Sequence, residues 1–102
     1  VTAARTRLPN RRAHEVRDFE HAGQRYTASV TRFPAGEVAE VFINVAKGGS
    51  DIETVARDAA ILISIAAQHS VPLEAFRHAI TRNSDGSPSG VVGKLLDLLM
   101  AP

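Results

Sequence analysis

The 102 residues carry a formal charge of +1, are 44% hydrophobic and 23% charged, and include no cysteine. A chain of this length supplies one small core, and the missing thiols exclude disulfides, thiolate metal sites, thiyl radicals and cysteine nucleophiles. Its longest apolar run, Ala59 to Ala67, is about half of what a membrane span needs; with no signal-peptide pattern at the start, a cytoplasmic location is expected.

The charge is unevenly placed. Arg5, Arg7, Arg11, Arg12 and Arg17 face Glu15 alone, so the first 17 residues are +4 and the remainder is −3. With Pro9, Asn10 and few large apolar residues, positions 1–14 read as a basic flexible arm, ahead of a single domain over 15–102. Arg5, Arg7, Arg11 and Arg12 suit a weak, nonspecific contact to nucleic acid or another polyanion, with no base readout; a solvated tail fits the same residues.

Strand signals come next. Val16 to His21 leads into Ala22-Gly23, a turn pair, and then Arg25 to Phe33 alternates Tyr26, Ala28 and Val30 with Thr27, Ser29 and Thr31. Pro34-Ala35-Gly36 supplies a hairpin connection. In the third run, Glu37 to Ala46, Val41, Ile43 and Val45 share one face, while Val38, Phe42 and Asn44 share the other.

Lys47-Gly48-Gly49-Ser50 precedes a helix that opens at Asp51, because Ser50 and Glu53 have capping-box spacing. Accessible glycine N–H groups, a helix start and the Lys47 ammonium make these four residues a candidate anion or nucleotide site. A tight strand-to-helix turn with Ser50 as cap uses the same residues. The glycine spacing is not that of a Walker A loop.

Along the helix, Ile52, Val55, Ala56, Ala59, Leu62, Ile63 and Ala66 follow three-and-four spacing and are expected to face the core. Ile61 and Ile65 lie outside that stripe. Val71-Pro72 breaks the chain before a second helix, in which Leu73, Phe76 and Ile80 line one face and Glu74, Arg77, His78 and Arg82 point to solvent. A polar loop, Asn83 to Gly90, leads to a short apolar helix from Val91 to Met100. The fold class is therefore α+β: a three-stranded antiparallel meander followed by two or three helices packed on one face. Tyr26, Val30, Val41, Ile43 and Val45 are expected to pack against Val55, Ala59, Leu62 and Ile63, with Phe76 and Ile80 closing the core.

Catalytic patterns do not emerge. His14, His21, His69 and His78 form no His-x-x-His or His-x-x-x-His pair, so no metal is expected. The serines lack a nucleophile-elbow context. The helix after Val71-Pro72 opens on Leu73, Glu74 and Ala75, poor residues for reading base edges.

Four blocks in order, Glu40-Val41-Phe42-Ile43-Asn44-Val45, Lys47-Gly48-Gly49-Ser50-Asp51, Ile63-Ser64-Ile65-Ala66 and Val71-Pro72-Leu73-Glu74, make residues 25–82 resemble the TSCPD domain, the accessory module near the carboxyl end of adenosylcobalamin-dependent ribonucleotide reductases. The name-giving Thr-Ser-Cys-Pro-Asp motif is absent, and so are the thiols of reductase chemistry. The resemblance implies a stand-alone accessory or protein-interaction module linked to deoxynucleotide metabolism, not catalytic alone, without a cofactor, and with a reductase or another protein as partner. Core-type residues left over after one core is filled, Val38, Phe42, Ile61 and Ile65, point to a homodimer formed through them or through strand edges.

Overall fold

A computed structural model describes residues 4–9, 13–45 and 51–100. Three strands come first, β1 (Glu15–His21), β2 (Gln24–Arg32) and β3 (Val38–Val45), then three helices, α1 (Asp51–Gln68), α2 (Leu73–Ala79) and α3 (Val91–Met100). The sheet order is β1-β2-β3 with both pairings antiparallel, which is the expected meander and α+β class.

Turn chemistry sets the hairpins. Ala22 and Gly23 both take positive φ, 50° and 78°, the backbone of a two-residue connection whose twist matches that of the strands. At the second hairpin Gly36 has φ 102°, and its N–H donates to the Phe33 carbonyl at 2.8 Å.

Period two then sorts the side chains. Tyr26, Ala28, Val30, Val41 and Ile43 are buried on one face, with Phe19 stacked on Tyr26 at a centroid distance of 5.5 Å. The other face carries Val16, Ser29 and Phe42 in one cross-strand row, and Asp18, Thr27 and Asn44 in the next. Val38 departs from the expected alternation. A register shift between Thr31 and Arg32 re-aims it into the core, where it is buried beside Ala39.

The orientation of α1 overturns the expected core. Ala56, Ala60, Ile63 and Ala67 are buried together with Ser64 and Gln68, whereas Val55 is 67% exposed and Leu62 68% exposed. Of the helix residues expected inside, Ala56 and Ile63 are buried and Ala59 and Ala66 are half-buried. The reason lies at the sheet edge. The Ser64 hydroxyl accepts the Val41 N–H at 2.8 Å and lies 3.0 Å from the Val41 carbonyl, and the Gln68 side-chain amide donates to the Ala39 carbonyl at 3.1 Å. Small alanines let the helix come close enough for these bonds, and unpaired edge groups left buried would cost more than an exposed leucine.

The remaining half of the core lies under α3, which buries Leu95, Leu96 and Leu99. From α2, Leu73 is buried and Phe76 partly buried against the same cluster, and Ile80, just past the helix end, is partly buried there too, as expected.

Candidate interaction surface

Of the residues singled out in the sequence, Lys47, Gly48, Gly49, Ser50, Arg11 and Arg12 lie outside the described residues. Val45 and Ile52, on either side of residues 46–50 in sequence, line a cleft of about 400 Å³ that also involves His21, Glu53, Ser89 and Gly90. Glu53 is buried there and pairs with Arg57 at 3.0 Å; a carboxylate in the wall works against an anion.

Arg5 and Arg7 are described and exposed. The segment that carries them runs past the end of α1, where the Thr6 N–H donates to the Gln68 carbonyl at 2.7 Å and Arg5 Nε donates to Gln68 Oε1 at 2.6 Å. Gln68 thus joins this segment to the β3 edge.

The histidines are dispersed. His21 Nε2 lies 3.2 Å from the Ser89 carbonyl, His78 meets Glu74 at 3.0 Å, and among the described residues no three His, Asp or Glu side chains are grouped to hold a metal.

Arg77 and Arg82, expected to point to solvent, instead converge on α3. Arg82 spans both oxygens of Asp97 at 2.9 Å, and Arg77 Nε reaches Oδ1 at 3.0 Å. Hydrogen bonds from Arg82 first and then from Arg77 lower the Asp97 carboxyl to about 2. Arg82 also donates to the Gly86 and Arg77 carbonyls, and Asp85 accepts from the Ser87 N–H and hydroxyl. The polar loop after α2 is therefore a bonded clasp, which fits a structural role.

Two features can receive another molecule. One is a cleft of about 460 Å³ between the β2–β3 hairpin and the α1–α2 junction, floored by Val38, Ala67, Leu73 and Leu99, with Arg32 and Glu37 among its lining residues. The other is the outer face of α1. Ile52, Val55, Ile61, Leu62 and Ile65 are all exposed there, and Phe42 extends the apolar surface onto the open side of the sheet at 46% exposure. Arg57, four residues before Ile61 on the same flank, donates to Asn44 Oδ1 at 3.2 Å, which sets that flank level with the row beyond Phe42. Of the leftover residues expected in the sequence, Phe42, Ile61 and Ile65 belong to this surface and Val38 does not. Ile52, Val55 and Leu62, which helical spacing alone places in the core, belong to it as well. The signal for the true inner face was the run of small residues Ala56, Ala60, Ser64 and Ala67.

Comparison with known proteins gives a single direction. The family model of the TSCPD domain matches residues 3–100. A vitamin B12-dependent ribonucleotide reductase of Agrobacterium fabrum is 32% identical over 92 residues, covering 90% of this chain and 7% of that protein. A vitamin B12-dependent ribonucleotide reductase of Rhodopirellula baltica is 39% identical over 70 residues, covering 69% of this chain and 7% of that protein. The chain thus spans about 7% of the length of the curated relatives it matches. No solved structure matches.

Proposed function

The chain belongs to the TSCPD domain family, and from that membership we propose that it is a non-catalytic protein-interaction module that works beside a vitamin B12-dependent ribonucleotide reductase and so serves deoxynucleotide metabolism. The observation that carries this reading is the outer face of α1. Leucine and valine exposed by two thirds cost solubility until another protein covers them, and contiguous apolar patches of this kind mark interaction sites. The relatives hold this segment as a small part of a much longer protein, in which such a face has other surfaces to meet. The chain brings no cysteine, so a thiol step would fall to the partner.

The test is capture of a purified vitamin B12-dependent ribonucleotide reductase on the immobilised chain. Saturable binding supports the reading, and no binding at about 100 μM, which leaves any affinity at roughly millimolar or weaker, sinks it.

A second reading keeps Lys47, Gly48, Gly49 and Ser50 as an anion or nucleotide site, with the N-terminal arginines adding charge. It rests on the Lys-Gly-Gly-Ser sequence ahead of α1, because the Glu53 carboxylate in the neighbouring cleft works against an anion there. Titration with nucleotide should then shift the amide NMR signals of Gly48, Gly49, Ser50 and Asp51 first, and unmoved amides would leave only the turn.

A further inference from the structure

The core reaches the surface in the 460 Å³ cleft between the β2–β3 hairpin and the α1–α2 junction. Val38, Ala67, Leu73 and Leu99, which floor it, each keep 7–8% exposure, against 1% for Ile43, Leu95 and Leu96 at the centre. Both walls are fixed by backbone bonds. On the hairpin side the Phe33 N–H donates to the Glu37 carbonyl and the Gly36 N–H to the Phe33 carbonyl, each at 2.8 Å. On the other side Ser70 takes a left-handed φ of 66°. Its N–H donates to the Ala67 carbonyl at 3.1 Å and the Val71 N–H to the Ala66 carbonyl at 3.0 Å, the paired bonds that close a helix end. That closure leaves Val71 37% exposed in the cleft wall. A groove with walls held in this way needs little reordering to be filled, which lowers the cost of binding.

Charge at the rim selects the occupant. Arg32 is held by Glu15 at 3.1 Å and by the Gly36 carbonyl at 2.9 Å, and Glu74 is held by Arg77 at 3.2 Å. Glu37 is exposed and makes no ion pair among the described residues. The cleft is therefore apolar within and negative on its hairpin side. That carboxylate repels a nucleotide or any other anion, and a small polar ligand needs more convergent polar groups than this lining supplies. An apolar side chain with a cation next to it meets both conditions, the one covering the floor and the other facing Glu37.

Resting on the reading of this chain as a protein-interaction module, we propose that the cleft receives an extended segment of the partner polypeptide in which a leucine-sized apolar side chain stands next to an arginine or lysine. The volume is toward the small end of ligand clefts and takes a few side chains rather than the girth of a whole helix. The apolar anchor supplies most of the affinity, and Glu37 discriminates between partner segments by their charge.

The probe is a capped hexapeptide, Gly-Leu-Arg-Leu-Arg-Gly, titrated into the 102-residue chain and followed by methyl NMR. The methyl signals of Val38, Leu73 and Leu99 should shift first, with saturation approached at about 1 mM peptide. Val71→Asp, at an exposed position and with the fold checked by circular dichroism, should weaken binding about tenfold. The parent chain should prefer this peptide to its acidic counterpart, Gly-Leu-Glu-Leu-Glu-Gly, and Glu37→Lys should reverse the preference. Methyl signals unmoved by the arginine peptide, equal binding of the two peptides by the parent chain, or binding indifferent to Val71→Asp would each overturn the proposal. A reductase captured equally well by the parent chain and by the Glu37→Lys, Val71→Asp double variant discards the cleft and keeps the interaction reading. A cleft that binds the arginine peptide on a chain that captures no reductase does the reverse.

Discussion

The Ser64 hydroxyl stands within hydrogen-bonding distance of both backbone polar groups of Val41, 2.8 Å from its nitrogen and 3.0 Å from its oxygen. A third neighbour, the Ala60 carbonyl at 2.8 Å, competes for the single hydroxyl proton. One side chain on the fourth turn of α1 thereby does for the edge of β3 what a fourth strand would do. Ser64→Ala leaves a buried N–H without its acceptor and should destabilise the fold by about 1–3 kcal/mol. Urea denaturation measures the loss, and the Val41 amide should exchange faster with solvent.

Leu62 and Ile63 are adjacent and should respond oppositely. Ile63, 8% exposed, should cost about 2–5 kcal/mol when cut to alanine. Leu62→Ala should stay within about 0.5 kcal/mol, as surface substitutions do, when unfolding is followed at micromolar concentration, where self-association does not contribute. Equal losses would return Leu62 to the core.

Gly93 sits where α3 crosses the clasp. A Cβ added there would run into the Ile80 Cδ1 and lie 2.9 Å from the Pro88 Cβ. Ile80 can turn away, but the proline ring cannot. Gly93→Ala should therefore destabilise by about 1–2 kcal/mol, the overpacking cost outweighing the gain in helix propensity. A raised melting temperature would show that the loop yields.

Acid should loosen the clasp through Asp97. Its folded value near 2 lies below the ordinary 3.8, so its contribution to stability is complete above about pH 4 and is lost as pH falls toward 2. For a partly exposed carboxylate held by two arginines this amounts to about 1 kcal/mol. Asp97→Asn should lower stability at neutral pH and flatten that part of the acid limb, measured by urea titrations at pH 5, 4 and 3.

Local signals in the sequence located the elements, because turns and helix breaks are written in single residues. Ala22-Gly23 and Gly36 place the hairpins, and Val71-Pro72 separates α1 from α2. Which face of α1 turns inward could not be read this way, since the helix carries apolar residues on both sides. The choice falls to the needs of the β3 edge, and those become visible only when Ser64 and Gln68 are set beside Val41 and Ala39. Likewise nothing near Arg77 or Arg82 in sequence announces Asp97, 15 residues beyond Arg82. The site candidates fared unevenly for a related reason. Packing fixes no role for exposed residues such as Arg7, and the apolar surface on α1 emerged from a packing decision made elsewhere.

The meander and α1 connect neighbours: Ser64 lies 23 residues from Val41, and Gln68 lies 29 from Ala39. The bond between His21 and Ser89 spans 68. Contacts between near segments form early, and closing a long loop is slower. On a ribosome the sheet and its edge helix can therefore assemble as soon as they emerge, but Phe19 and Tyr26 wait uncovered until the ten residues of α3 arrive. The window in which this domain can misassociate is thus set by α3, and slowing synthesis just before Val91 should lengthen it.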